Sequence, residues 1–181
     1  TEVDLGVGRS GNRDVAAQLA AALDMDYVYW NHELLLSPGD AFERDHGVAS
    51  AQGLHGSALL SRLPVTRFDA VALREPVDKF HDLEKRLGGK RTLIAEVLLE
   101  DGPVTVVVPH LDPFCGPRHR AAQLRAVLAG AEAFGNARIL LGGDLNTNTY
   151  DFSSTPGLAV NALYKLGWVG FDRTVSEYLA P

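Results

Sequence analysis

The sequence predicts an α/β (α+β) fold, and three observations carry that prediction. The apolar run 104–108, the helical stripe that follows Pro117 and the run Ile139-Leu140-Leu141 form a strand, helix, strand unit of the length of a βαβ crossover. Asp101-Gly102, a favoured hairpin dipeptide, separates two apolar runs and predicts that they pair antiparallel. Near the start, Val15, Ala16, Leu19, Ala22 and Leu23 fall at the i, i+4, i+7, i+8 spacing of an amphipathic helix.

The first helix has Ser10 or Asn12 available as its cap. Residues 26–30 then read as a short strand. The stretch 32–55 mixes Pro38-Gly39, scattered charges, Gly47 and Gly53 without sustained periodicity, which predicts a long surface loop. Residues 57–61 and 65–73 read as strands around the turn Arg62-Leu63-Pro64, and 79–87 as a short helix ended by Gly88-Gly89. Strands over 92–99 and 104–108 flank the hairpin dipeptide. Pro117 suits a first helical turn, and Leu124, Val127, Leu128 and Ala131 give that helix its apolar stripe before Gly135 breaks it. Ile139-Leu140-Leu141 reads as a strand buried on both faces.

At roughly 100 to 200 residues per domain, 181 residues predict one domain over 1–181 with a real core. Hydrophobic residues at 46% and charged residues at 22% exclude the composition of disorder. Seventeen Lys plus Arg against twenty-three Asp plus Glu give a net charge of −6, so the protein does not coat nucleic acid through many phosphate contacts. Any phosphate it handles needs a metal or a few placed cations. Cys115 is the only cysteine, which rules out an intramolecular disulfide and a Cys-based zinc cluster, and fits a reducing compartment such as the cytoplasm. No apolar run reaches the roughly 18 residues of a membrane span. The chain opens at Thr1-Glu2 without an initiator Met, which leaves the compartment open, and a monomer is expected.

Two predicted strands each lead to an ionisable residue. Residues 104–108 lead through Pro109 to His110, and 139–141 lead through Gly142-Gly143 to Asp144. In a parallel crossover both would share the carboxyl edge of the sheet, where open α/β sheets bind ligands. Around Asp144, the two glycines allow close approach, and Asp144 and Asn146 can orient a water and bind a phosphate oxygen; a plain turn built of Gly, Asp and Asn is the even alternative. Glu2, at the start of the chain, reads by itself as a frayed, solvated carboxylate. Arg120 and Gln123, on the inward side of their helix, read as anchors for the loop 111–116. His32, His46, His55, His81 and His119 show no metal-ligand spacing and read as solvated, with His55 singled out because it precedes Gly56. Lys85, Arg86, Lys90 and Arg91, and separately Arg118, Arg120 and Arg125, form basic clusters that either track a nucleic-acid backbone or are solvated faces.

Gly143-Asp144-Leu145-Asn146 resembles the Gly-Asp-hydrophobic-Asn signature of the endonuclease/exonuclease/phosphatase family. Glu2-Val3-Asp4 looks like that family's metal-binding Glu motif, and 56–62 (Gly-Ser-Ala-Leu-Leu-Ser-Arg) like its central strand motif, with Ser57 where many relatives carry Asn. Residues 108–112 (Val-Pro-His-Leu-Asp) resemble its His-Leu motif, and Arg120 and Gln123 its Arg-x-x-Gln. Five motifs in the family's order cover nearly the whole chain.

The resemblance implies a four-layer α/β/β/α sandwich of two mixed sheets packed face to face, and a metal-dependent phosphoesterase. It implies that Glu2, Asp144 and Asn146 surround Mg2+ or Mn2+, and that Asp144 activates the attacking water. Asn146 would bind the phosphate or the nucleophile, and His110 would hydrogen-bond the phosphate and stabilise charge in the in-line transition state. Arg120, Gln123 and Ser57 would support the site. The family's Asn upstream of the Glu has no counterpart, no His follows Asp144, and the family's closing Ser-Asp-His is absent before Tyr178-Leu179-Ala180-Pro181. The expectation is therefore a domain shortened at both ends, lacking terminal strands. Three functions follow: a nuclease-like phosphodiesterase with a phosphate ester, nucleic acid included, as substrate; a phosphomonoesterase on a small or lipid headgroup; and a non-catalytic remnant of the fold. A lipid substrate would use Leu34-Leu35-Leu36 and Phe42.

Overall fold

A computed structural model describes residues 1–38, 45, 47–76, 78–81, 84–147, 156 and 159. Two four-stranded sheets form the centre. The first runs in the order β1-β3-β2-β5, with β1 Val3–Leu5, β2 Asp26–Leu35, β3 Leu54–Ser61 and β5 Arg86–Gly88. The second runs β4-β6-β7-β8, with β4 Val65–Ala72, β6 Arg91–Leu99, β7 Gly102–Val108 and β8 Ile139–Leu141. Helix α1, Val15–Leu23, packs on the first sheet; helix α2, Pro117–Glu132, packs on the second. Strands β2 and β3 face β6, so the layers read α/β/β/α. Among the described residues the first sheet is wholly antiparallel and only the second is mixed, through the parallel pair β7 and β8.

The hairpin forms at Asp101-Gly102, with Leu99 opposite Gly102 and Leu93 opposite Val108. Gly102 takes φ 117°, which that turn requires. Helix α2 starts with Pro117 in its first turn and turns Leu124, Val127 and Ala131 onto Leu73, Ile94, Val107 and Leu111. Each of these Leu, Ile and Val side chains, fully buried, contributes about 1.5–3 kcal/mol. Cys115 is buried and reduced. No described helix is long and apolar enough to cross a membrane.

Several local expectations are corrected. Helix α1 is capped by Asp14, whose Oδ1 accepts from Ala17 N at 2.9 Å, and not by Ser10 or Asn12. Ser10 Oγ donates to the Val7 carbonyl, while Asn12 is engaged by Ala49 and Ala51 on the opposite loop. Strand β2 continues five residues past Trp30 into the stretch read as a loop. Its polar run Asn31-His32-Glu33 masked the strand because Glu33 is buried against cations and His32 sits at a register shift. Within 79–87 the chain makes a 3₁₀ turn, Lys79–His81, and then β5. Gly88 explains the second part: at φ 106° a Cβ would lie 2.5 Å from the His32 carbonyl oxygen, so only glycine lets β5 come alongside β2 there. Strand β8 is not buried on both faces; Leu140 is 61% exposed and only Leu141 reaches the core. His46, Phe42 and 178–181 lie outside the described residues.

Candidate active site

The parallel pairing of β7 and β8 continues past both strands, so that His110 and Asp144 form a bridge pair. Leu111 N donates to the Asp144 carbonyl and Asp144 N donates to the Pro109 carbonyl, each at 2.9 Å. Gly143 makes this possible, since a Cβ there would lie 2.2 Å from the Pro109 carbonyl oxygen. Among the described residues the Asp144 side chain is held at Oδ1, which accepts from Asn146 N at 2.8 Å, while Oδ2 lies 3.9 Å from His110 Nε2. Asn146 takes a left-handed φ of 51°, which Asn tolerates, and its Nδ2 donates to the Leu111 carbonyl at 2.7 Å. That bond ties the segment after β8 to the segment after β7.

Glu2 arrives from the other sheet. It immediately precedes β1, takes the uncommon φ of 58°, and places Oε1 3.8 Å from the same His110 Nε2. Asp4, two residues on, is buried against Arg9 and His55, with Oδ2 2.9 Å from Arg9 Nε and Oδ1 2.7 Å from His55 Nδ1. Burial works to raise the Asp4 carboxyl, but the hydrogen bonds and charges of His55 and Arg9 outweigh it and hold it well below the usual carboxylate range. This network braces β1 and the Glu2 backbone beside it. His55 is thus buried and structural rather than solvated.

His110 is 3% exposed, and burial, then the nearby Lys90 charge, pull it down to about 3, so its ring is neutral near pH 7. Lys90 Nζ lies 2.7 Å from His110 Nε2. Lys90 is itself buried, and burial together with the Lys79 charge lowers it to about 8. His32 is buried nearby, its ring centroid 6.3 Å from that of His110. It is lowered to about 3, first by burial and then by the charges of His110 and Lys90. Neither Lys90 nor His32 stood out as a site residue in the sequence. For Lys90 a signal was present: counting back along the hairpin from Asp101-Gly102 brings Lys90 and Arg91 alongside His110. The basic cluster is corrected accordingly, since Lys90 is inside and Arg86 is paired with Glu33 and Glu84.

Arg120, 2% exposed, donates through Nη1 to the Cys115 carbonyl. Gln123 accepts from Asp112 N at 3.0 Å and donates to the Arg74 carbonyl at 2.8 Å. These bonds hold the loop that follows His110. Ser57 is fully buried opposite Trp30, and its Oγ has no hydrogen-bond partner among the described residues, so it makes no bond to Glu2, His110 or Asp144.

The donor set suits a hard divalent cation. Among the described residues no group of three His, Cys, Asp or Glu side chains converges as a cage, but two exposed carboxylates face one neutral imidazole. Mg2+ is commonly held by one or two carboxylates while keeping several waters, and this arrangement provides that pair.

The sequence profile of the Endonuclease/Exonuclease/phosphatase family matches residues 7–172. The chain belongs to this family. Among solved structures, this family member is similar to the human nocturnin catalytic domain with bound sulfate, at 19% identity and a TM-score of 0.49, over 71% of this chain and 45% of that one. It is also similar to a conserved protein of unknown function from Enterococcus faecalis, at 16% identity and a TM-score of 0.47, over 83% and 53% of the two chains. ANGEL2, described as a 2′,3′-cyclic phosphatase and solved with adenosine-2′,3′-vanadate, matches at 14% identity and a TM-score of 0.45, over 83% and 39%. The family member spans about half the length of these structures. A comparison with curated proteins gave no match.

Proposed function

We propose that this family member is a divalent-metal-dependent phosphodiesterase, nuclease-like, that hydrolyses a phosphate ester by in-line attack of water, with residues 1–181 acting as one domain and as a monomer. The observation that carries the reading is the convergence of Glu2 Oε1 and Asp144 Oδ2, from two different sheets, to 3.8 and 3.9 Å from the single buried atom His110 Nε2.

Glu2 and Asp144, with Asn146 beside them, would hold Mg2+ or Mn2+. Bound there, the ion would polarise the phosphoryl oxygen and make water more acidic. Asp144 orients the attacking water through Oδ2 and takes its proton as the new P–O bond forms, while the ester P–O bond opposite breaks. The leaving oxygen takes a proton from solvent. Asn146, locked to the Leu111 carbonyl, keeps the Asp144 segment in register with His110 and stands next to the phosphate position. His110, neutral and buried, stands with Nε2 between the two carboxylates at the back of the phosphate position.

The test is hydrolysis of plasmid DNA and of bis(p-nitrophenyl) phosphate with Mg2+, with and without chelator. Metal-dependent turnover that is lost in Asp144→Ala supports the reading. Release of inorganic phosphate from p-nitrophenyl phosphate with both diesters left intact would replace it by a phosphomonoesterase, and binding without cleavage under any metal by a non-catalytic module.

A further inference from the structure

Three nitrogen-bearing side chains from three strands cluster behind the Glu2 and Asp144 carboxylates: Lys90 just before β6, His110 just after β7 and His32 at the register shift of β2. All three are more than nine-tenths buried, at 8%, 3% and 4% exposure. Among the described residues the Lys90 ammonium has a single side-chain partner, His110 Nε2, and forms no ion pair within contact distance. Lys79 shows the ordinary solution, with Glu33 and Glu75 oxygens at 2.7 and 2.9 Å. Glu75 turns its other oxygen to the Lys90 backbone N–H at 3.2 Å rather than to the ammonium. A buried ammonium without a carboxylate is costly to hold, and it has three protons to donate, of which His110 takes one.

A second observation points the same way. His32 Nε2 is buried with no hydrogen-bond partner among the described residues, in the ring beside His110. A buried polar atom of this kind is satisfied by something other than these side chains, an ordered water or a bound polar group, and a ligand atom at the Lys90 ammonium lies within the same cluster. An ammonium can only donate, so His110 Nε2 accepts from Lys90 and the imidazole proton lies on Nδ1. The imidazole nitrogen nearest Glu2 and Asp144 thus has no proton to give, and the donor at that point is Lys90 Nζ.

We propose that Lys90 is a further catalytic residue, its ammonium binding a non-bridging oxygen of the substrate phosphate from the cleft wall beside His110. A preorganised cation in a desolvated wall is most effective where phosphoryl charge develops, and in a chain of net charge −6 it is the local help a phosphate needs. His32 lines the same subsite. Such a role rests on the phosphoesterase reading, and the measurements separate the two.

The full chain, labelled with [15N]lysine and supplied with Mg2+, is titrated with inorganic phosphate. The Lys90 Nζ resonance, assigned by its loss in Lys90→Arg, is expected to shift; no movement across the titration overturns the proposal without recourse to any destabilised variant. In calorimetry Lys90→Met is expected to weaken phosphate binding about 10- to 100-fold, with Lys90→Arg within a few-fold of wild type. In turnover Lys90→Met is expected to lose about 10²–10³-fold in kcat with a smaller change in KM. Lys90→Met that binds phosphate like wild type, or Lys90→Arg that loses as much as Lys90→Met with a native circular dichroism spectrum, also overturns it. Absence of any metal-dependent hydrolysis by the wild-type chain would instead sink the phosphoesterase reading, leaving the Nζ shift to decide on Lys90 alone.

Discussion

His110 and Asp144 are backbone partners: the bridge between them is closed by two hydrogen bonds of 2.9 Å, from Leu111 N to Asp144 O and from Asp144 N to Pro109 O. The position of the Asp144 carboxylate therefore depends on main-chain bonds that truncating its own side chain leaves in place. Asp144→Ala is expected to keep the fold and to lose about 10²–10⁴-fold in Mg2+-supported hydrolysis. Turnover and an unfolding curve on the same sample check this, and a folded variant with wild-type turnover would remove Asp144 from the site.

Gly143→Ala tests the same bridge from the backbone. The new methyl carbon would start 2.2 Å from the Pro109 carbonyl oxygen and 2.9 Å from Pro109 Cδ. Neither is the end of a flexible side chain, so the segment must move. We expect a stability loss of about 1–3 kcal/mol together with reduced turnover. Urea unfolding with an unchanged midpoint would show that the close approach is not needed.

Glu33 predicts an acid limb of stability. It is buried, with Oε1 2.7 Å from Lys79 Nζ and Oε2 2.8 Å from Arg86 Nη1. Burial alone would raise its carboxyl, but the hydrogen bonds and charges of Lys79 and Arg86 prevail and bring it from 4.5 to about 2. A carboxyl lowered by folding stabilises fully above its unfolded value, and that contribution, roughly 3 kcal/mol, disappears as pH falls from 4.5 towards 2. Glu33→Gln should therefore differ most from wild type above pH 4.5 and converge with it on acidification. Thermal midpoints across that range check it; a gap that does not vary with pH would contradict the assignment.

Ile94→Ala tests the core between α2 and the second sheet. Ile94 is 1% exposed and packs with Val107, Leu124 and Val127. The expected loss is about 2–5 kcal/mol by chemical denaturation, and a loss below about 1 kcal/mol would mean that the layer collapses to fill the space.

The parts legible in the sequence are those in which one force dominates. Helix α2 has Pro117 at its start and an apolar stripe at regular spacing, and the β6–β7 hairpin has its turn dipeptide between two apolar runs. His110 and Asp144 could be placed on one edge because a crossover helix separates two runs that end in them. Strand β2 was illegible past Trp30 because its inward residues, His32 and Glu33, are polar, and their burial depends on Lys79, Arg86 and the neighbours of His110, all remote in sequence. The same reason hid Lys90, which stands in sequence between the partly buried Gly89 and Arg91 and in space against the buried His110. Strand β8 misled in the opposite direction: three apolar residues suggest burial, yet Ile139 and Leu140 are exposed on a strand that ends its sheet among the described residues.

Because Glu2 hangs from one sheet and Asp144 from the other, the gap between the two carboxylates is gauged by the thickness of the sandwich itself. Stacked sheets sit about 10 Å apart, a distance set by the bulk of the side chains between them. At the margin of this junction Trp30 of β2 meets the half-exposed Phe68 of β4 edge to face, with ring centroids 6.2 Å apart, while Leu93 and Ala95 of β6 are buried inside it. A larger or smaller residue in that filling would widen or narrow the jaws at the far rim, which makes the interior of this protein an adjuster of its chemistry as well as the source of its cohesion.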